Sequence, residues 1–249
     1  MKGVLRYPVF HVPHDGVEFP KELMESVCIS KEEFVRYHEI MRDSHMADLI
    51  PYEYVPECEA AVFNISRLLC DVERFLGPEE VMERYGMGFC YEQAYDGTKI
   101  KNVTENLKKK TLKYYQKHHA LIDRLCSRYS RILFIDLHSY SDEIVMKDFL
   151  RLDMDTPDVC IGTDPDYTPP ELTGIVQKHF ERNSYTTAIN YPYSGCFIPD
   201  AVMKKKIDCD CAAIMIEINR RIFSADPDSE TVSKIREIIG QIVKEAVWV

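Results

Sequence analysis

Residues 131–140 have the sequence RILFIDLHSY, an apolar run that ends in polar residues. The run at 131–137 is almost continuously hydrophobic, which predicts a β-strand buried on both faces of a sheet. Five similar runs occur elsewhere in the chain: residues 7–12, 59–65, 158–163, 186–191 and 212–218. Together these segments predict the strands of a buried sheet.

Helix signals lie between the predicted strands. Ser30 with Glu33, and Thr168 with Glu171, have the spacing of capping boxes, and the second has Pro169 at the expected first helical position. Two segments have the three-four apolar spacing of amphipathic helices: residues 103–128, and the last segment with Val232, Ile235, Ile238, Ile239, Ile242 and Val243 on one face. Strands that alternate with helices predict a three-layer α/β/α fold with a mixed, mainly parallel sheet.

The composition is that of an ordinary globular protein. The 249 residues are 45% hydrophobic and 29% charged. The length allows one large domain or two small ones, and no Gly/Ser linker, repeat or low-complexity segment marks a boundary. We therefore predict a single domain over residues 1–249.

Charge and cysteine content limit the possible partners and compartments. The net charge of −10 disfavours binding to nucleic acid or to an anionic membrane, since both require a basic surface. The nine cysteines include no CxxC pair, and their number fits a reducing compartment. No leader-like segment and no membrane-length apolar run is present. The sequence therefore predicts a cytoplasmic protein.

Three predicted strands run into residues that bind metals or transfer protons. The run at 131–137 leads into His138 and Ser139, VFHVP leads into His14, and AAIMI leads into Glu217. Ligands of open α/β sheets bind at the carboxyl ends of the strands. Taken singly, each residue also fits a hydrogen-bonded strand end, but their joint occurrence favours a zinc site with three protein ligands and one position for water.

A third ligand is expected near residue 45. If the helix that begins at Ser30 continues through RDSHMADLI, then Met41, His45 and Asp48 lie on one stripe. Because Met41 should face the core, the stripe is expected to turn His45 and Asp48 inward. A buried acid needs a partner, which a salt bridge or a metal ion would supply.

Five segments, in order, resemble motifs of the N-formylglutamate amidohydrolases, a family whose fold is related to the phosphorylase/hydrolase-like fold of zinc carboxypeptidases. VPHDG resembles the PHSG-type opening of the family, and HMADLI its acid-bearing helix. FNISRLLCDVER resembles its Ser-Arg and Asp-x-Asn-Arg segment. FIDLHSYSDE resembles its Asp-x-His-Ser strand end, and IEINRRIF its closing Glu-x-x-Arg stretch.

The resemblance implies one zinc ion bound by His14, Asp48 and His138, with Glu217 as the general base. Zinc lowers the pKa of its bound water to about 7 and polarises the amide carbonyl, while a nearby carboxylate accepts the water proton. The same glutamate would then protonate the leaving amine.

Further residues are implied around these ligands. Asp136 would orient His138, although a plain strand-end turn fits it equally well, and Ser139 lies beside them. The helix register leaves three alternatives to Asp48 as the third ligand: Asp15, Asp43 and His45.

Arginines indicate the substrate class. The guanidinium groups of Arg67, Arg74 and Arg220 would bind carboxylates in a bidentate manner, as an N-acyl glutamate requires. Asn64 and Ser66 would add neutral hydrogen bonds. Salt bridges to the abundant acidic residues are the competing interpretation for the arginines.

Two residues depart from the family pattern. Glu73 stands where the family often has Asn, and an acid there would oppose an anionic substrate, while Asp15 replaces the commoner Ser.

The predicted function is zinc-dependent hydrolysis of an N-acyl amino acid. The predicted substrate is N-formylglutamate, which would be converted to glutamate and formate. The alternatives are a zinc carboxypeptidase or cell-wall amidase on the same scaffold, and a non-catalytic binding protein.

Overall fold

The structure, a computed structural model, describes residues 5–144, 155–223 and 229–249. Each apolar run that predicts a strand contains one. The six strands are β1 (Tyr7–Val12), β2 (Glu59–Val62), β3 (Arg131–Tyr140), β4 (Val159–Gly162), β5 (Thr187–Ile189) and β6 (Asp210–Asn219). They form one sheet in the order β2-β1-β3-β6-β4-β5.

The sheet is mixed and mainly parallel, which confirms the predicted α/β class. β3 pairs in parallel with β1 and β6, and β4 pairs in parallel with β5 but antiparallel with β6. β3 and β6 are almost entirely buried, whereas β2 and β5 are partly exposed. Burial on both faces was therefore a wrong prediction for these two strands, because they form the edges of the sheet.

Six helices are described in addition to short 3₁₀ turns. They are α1 (Lys21–Met24), α2 (Lys31–Met41), α3 (Glu105–Cys126), α4 (Pro170–Arg182), α5 (Asp200–Met203) and α6 (Ser229–Ala246). The capping box at α2 is confirmed: the Glu33 N–H donates to Ser30 Oγ at 3.2 Å, and the Ser30 N–H donates to Glu33 Oε2 at 3.0 Å.

The second predicted capping box, Thr168 with Glu171, is wrong. Pro169 is the N-cap of α4 rather than its first helical residue, and no side chain caps this helix. The hydroxyl of Thr168 instead donates to the carbonyl of Ala213 in β6 at 2.6 Å and accepts the Asp164 N–H at 2.9 Å. The Thr168 hydroxyl therefore bonds to the sheet instead of capping the helix as the local sequence pattern predicts.

The predicted apolar face of α6 is buried at every position. This helix packs against α4, and α4 contacts β4 and β5. Apolar spacing in the sequence thus identified the helix face that packs in the core.

The chain divides into two compact units. Unit 1 comprises Met1–Val12, His45–Ala61 and Ile122–Val249, and unit 2 comprises Pro13–Ser44 and Val62–Leu121. Unit 1 contains nearly the whole sheet, and unit 2 contains α1, α2 and most of α3. Within the described residues, no helix combines the length and the apolar character needed to cross a membrane.

Candidate active site

Unit 1 carries four ionisable side chains on one face of its central strands. In the strand registers, His11 of β1 lies opposite Asp136 of β3, and His138 of β3 lies opposite Glu217 of β6. Alternate residues of a strand share a face, so the four side chains project to the same side. All four are buried. Burial of these four ionisable groups makes this face of the sheet a candidate functional site.

Asp136 is the acceptor at the centre of this group. Its Oδ1 lies 2.9 Å from His11 Nδ1, and its Oδ2 lies 3.1 Å from His138 Nε2 and 3.2 Å from the Phe197 N–H. Burial opposes ionisation, but His138 and His11 hold the pKa of Asp136 well below its ordinary value. An ionised carboxylate only accepts, so each ring nitrogen that faces it carries a hydrogen. In its neutral form, His138 then has its lone pair on Nδ1.

Two further residues of unit 1 named from the sequence lie nearby in the chain. Ser139 is buried on the opposite face of β3 from His138, and its hydroxyl has no hydrogen-bond partner among the described residues. Arg220 begins the 3₁₀ turn Arg220–Phe223 that follows β6, and it is partly exposed. Neither position by itself tests the role that the sequence predicts.

Unit 2 holds His14 within a group of acids. His14 Nε2 lies 2.9 Å from Asp71 Oδ1, and His14 Nδ1 lies 3.5 Å from Asp43 Oδ2. The Glu73 carboxylate is 3.7 Å from His14 Nε2. The Asp43 N–H also donates to the His14 carbonyl at 3.1 Å, which fixes the two backbones against each other. His14 therefore has an acid beside each of its ring nitrogens.

Asp71 is a fully buried anion that has cationic and polar partners besides His14, including the Glu73 N–H, which donates to Asp71 Oδ1 at 3.1 Å. Arg67 Nη2, Arg74 Nε and the Tyr91 hydroxyl lie 3.1, 3.4 and 2.8 Å from Asp71 Oδ2. Burial favours the neutral acid, but His14, Arg74 and Arg67 hold the pKa of Asp71 well below its ordinary value. Burial and Arg67 lower the pKa of His14, yet Asp71 and Asp43 outweigh them and raise it.

The predicted substrate-binding residues of unit 2 have partners within the unit. Arg67 contacts Asp43 Oδ1 at 3.3 Å in addition to Asp71. Ser66 is buried and hydrogen bonds with His38 Nδ1 at 3.0 Å. Asn64 is exposed and accepts the Glu18 N–H through its backbone carbonyl at 2.8 Å. Their binding of substrate stays a prediction.

Close backbone packing follows His14 in the loop. A Cβ atom at Gly16 would lie 2.3 Å from the carbonyl carbon of Asn64 and 2.6 Å from the Ile65 nitrogen. Only glycine permits this approach. The preceding acid, Asp15, pairs through Oδ1 with Arg42 at 2.9 Å. The loop that carries His14 is therefore fixed within unit 2.

The predicted stripe of Met41, His45 and Asp48 is wrong, because α2 ends at Met41. Arg42 is extended, and His45 has a left-handed backbone with φ of 69°. Asp48 lies in a 3₁₀ turn of unit 1, its side chain is 61% exposed, and its carboxylate lies 3.2 Å from His45 Nδ1. Asp43, one of the sequence alternatives, is the buried acid beside His14.

Sequence reasoning missed two residues that organise these groups. His11 receives no role from the sequence, although an ionisable residue in the run VFHV is itself unusual. Asp71 lies in the quoted segment FNISRLLCDVER but received no role. Its full burial separates it from the surface acids, and burial is not visible in the sequence.

Comparison with known proteins gives consistent matches. A sequence profile described as N-formylglutamate amidohydrolase matches residues 8–224. The fold is similar to that of an N-formylglutamate amidohydrolase from Ralstonia eutropha JMP134, with a TM-score of 0.75 and 18% identity over 99% of this chain and 94% of that one. It is also similar to a gene product of Agrobacterium tumefaciens, with a TM-score of 0.63 and 14% identity over 98% and 91% of the chains. No curated protein sequence matches this chain at a significant level.

Proposed function

Because the chain belongs to the N-formylglutamate amidohydrolase family, we propose that it hydrolyses the amide bond of a small N-acyl amino acid with the help of one bound zinc ion. The proposed substrate is N-formylglutamate, which would give glutamate and formate. The matched residues 8–224 include segments of both units, which supports the proposal of one catalytic domain.

The contact between His14 and Asp43 in unit 2 is the observation that carries this proposal. His14 donates from Nε2 to the ionised Asp71, so in the neutral ring Nδ1 holds a lone pair that lies 3.5 Å from Asp43 Oδ2. Two acceptors at this distance repel each other unless a cation or a proton lies between them. Asp71 first, and then Asp43, raise the pKa of His14.

The ligand chemistry of zinc and the distance between the two atoms support this proposal. Zinc binds imidazole nitrogen at about 2.0–2.1 Å and carboxylate oxygen at about 2.0–2.2 Å in a tetrahedral arrangement, which separates two ligand atoms by roughly 3.3–3.5 Å. The observed separation of His14 Nδ1 and Asp43 Oδ2 is 3.5 Å. We therefore propose His14 and Asp43 as ligands from unit 2, with Asp43 in place of Asp48.

In unit 1 we propose His138 as a ligand. Metal-binding histidines usually donate their second ring N–H to a carboxylate, which fixes the tautomer and the ring orientation. His138 has such a carboxylate in Asp136, at 3.1 Å. The lone pair of the neutral ring is then on Nδ1, and a metal ion binds the ring nitrogen that has the lone pair. When bound, the zinc ion polarises the amide carbonyl and makes water more acidic.

Glu217 is the proposed general base. It lies near the carboxyl end of β6, level with His138 in the strand register, and its side chain is buried. Its carboxylate would accept a proton from the attacking water and would donate that proton to the leaving amine nitrogen. Water oxygen thus bonds to the acyl carbon while the carbon–nitrogen bond breaks.

Arg67, Arg74 and Arg220 are the proposed partners of the substrate carboxylates. Arg67 and Arg74 already share Asp71, so their positive charge is partly compensated within unit 2. A substrate carboxylate must therefore compete with a buried aspartate, and a forked bidentate contact is the geometry that would do so. Glu73 adds negative charge beside His14, which lowers the advantage of an acidic substrate.

The experiment combines metal analysis with an assay of amine release from a panel of N-acyl amino acids. We expect about one zinc ion per chain, loss of activity after chelation, and recovery on adding zinc. His14→Ala and His138→Ala should each lose metal, whereas His179→Ala should keep it, because His179 pairs with Glu245 on the helices of unit 1. A chain that binds no divalent metal and cleaves no N-acyl amino acid would refute the proposal.

A further inference from the structure

We propose that His11 is a positioning residue: its ring N–H holds the Asp136 carboxylate in the orientation that sets the tautomer and ring direction of His138. The metal-binding consequence rests on the proposed function, whereas the effect on the tautomer does not. All three residues belong to unit 1.

The contact between His11 and Asp136 is fixed on both sides. His11 is fully buried in β1, directly opposite Asp136 in the strand register, and its Nδ1 lies 2.9 Å from Asp136 Oδ1. The His11 ring packs against Phe197 and Phe134, with ring centroids 4.8 and 5.8 Å apart. Packing on this scale prevents the ring from turning away without opening the core.

The two carboxylate oxygens of Asp136 accept hydrogen bonds from different donors. Oδ1 accepts from His11, while Oδ2 accepts from His138 and from the Phe197 N–H. The terminal torsion of an aspartate is broad and has no sharp minimum of its own. A donor on each oxygen therefore sets the plane of the carboxylate, and that plane determines where Oδ2 meets His138.

A direct catalytic role for His11 does not fit its position. The residue is fully buried inside a strand, two positions before Pro13 and the loop that carries His14. Its Nδ1–H is committed to Asp136. The contact with Asp136 gives His11 a route to His138, so a change at His11 should alter His138 before it alters any substrate.

Two variants of His11 and one control separate positioning from general stability. His11→Asn keeps an N–H donor close to the position of Nδ1, and His11→Leu removes the donor but retains an apolar side chain of moderate size. Phe10→Leu is the matched control, because Phe10 is the fully buried neighbour on the opposite face of β1. Thermal unfolding of each variant gives its stability.

Long-range proton–nitrogen NMR of the histidine rings in the metal-free chain gives the first result. We expect a hydrogen on Nδ1 of His11 and on Nε2 of His138 in the wild-type chain. The His138 tautomer should persist in His11→Asn and in Phe10→Leu, whereas His11→Leu should show a mixture of both tautomers. This measurement does not require a metal or an active enzyme.

Zinc affinity, measured by competition with a chromophoric chelator, gives the second result. We expect about tenfold weaker binding in His11→Leu, the lower end of the range for groups that orient a metal ligand. His11→Asn and Phe10→Leu should stay close to the wild-type value. If the loss of zinc affinity is proportional to the loss of thermal stability in all three variants, the positioning role is overturned.

The remaining outcomes also decide the proposal. A His11 ring in the wild-type chain with a hydrogen on Nε2 and none on Nδ1 overturns it, and so does a wild-type His138 tautomer in His11→Leu. If His11→Leu does not fold, the wild-type tautomers and His11→Asn decide: a changed His138 tautomer in His11→Asn contradicts the role. If the tautomers are as expected but the wild-type chain binds no zinc, the proposed function fails and the positioning role stands.

Discussion

Replacing Asp43 by Asn should remove most of the affinity for zinc, whereas replacing Asp48 by Asn should not. Asp43 is buried with its Oδ2 3.5 Å from His14 Nδ1, and the Asp48 side chain is 61% exposed. Asparagine has nearly the same shape and keeps an oxygen for Arg67, which lies 3.3 Å from Asp43 Oδ1. The substitution therefore removes the charge with little change in packing.

The magnitude follows from what one ligand contributes. Four-ligand zinc sites bind with about 10–16 kcal/mol, or roughly 2.5–4 kcal/mol for each ligand, which corresponds to about a hundredfold to a thousandfold in affinity. The amide oxygen of the introduced asparagine retains weak affinity for zinc, so we expect the lower part of this range. Asp43→Asn should also lower the pKa of His14, because Asp43 is one of the groups that raise it.

Competition with a chromophoric chelator at neutral pH measures the affinity, and elemental analysis after dialysis measures the occupancy. Thermal unfolding shows whether each variant remains folded. Weakened binding in Asp48→Asn with normal binding in Asp43→Asn would refute the reasoning and restore Asp48 as the ligand. If both variants bind zinc as tightly as the wild-type chain, neither Asp43 nor Asp48 is a zinc ligand.

Three further changes test separate parts of the site. Glu217→Gln should keep its metal but lose roughly 10²- to 10⁴-fold in turnover, since only proton transfer fails, and near-normal turnover would place the base elsewhere. Arg67→Lys should lower kcat/KM on acidic N-acyl substrates by roughly tenfold, about 1.4 kcal/mol, and on neutral ones by less, and equal losses would indicate a structural role. Gly16→Ala should cost about 1–3 kcal/mol in chemical denaturation, because its Cβ would lie 2.3 Å from the Asn64 carbonyl carbon, and unchanged stability would contradict that close approach.

Local sequence signals predicted most of the fold. The strands follow apolar runs, because a strand that is covered on both faces needs hydrophobic residues in succession. The start of α2 follows the side chains of Ser30 and Glu33, and the buried face of α6 follows its apolar spacing. These features depend on residues only a few positions apart. These features can therefore be predicted from the sequence alone.

The end of α2 depended on a contact from elsewhere in the chain. The pattern of Met41, His45 and Asp48 extends the helix by more than a turn, yet the Asp43 N–H donates to the His14 carbonyl, and the backbone leaves the helix at Arg42. That partner lies far outside any local window. Because the helix ends earlier than the pattern predicts, Asp43 rather than Asp48 is the buried acid.

The sequence by itself determined the α/β sheet, the main helices and the histidines and glutamate at the strand ends. Only the tertiary structure showed that His11 holds Asp136 and that Asp71 holds His14. The partners in these two contacts are 125 and 57 positions apart. Hydrophobic periodicity specifies which face of an element is buried, but a buried carboxylate is satisfied by whichever donors the strand register and loop packing bring to it.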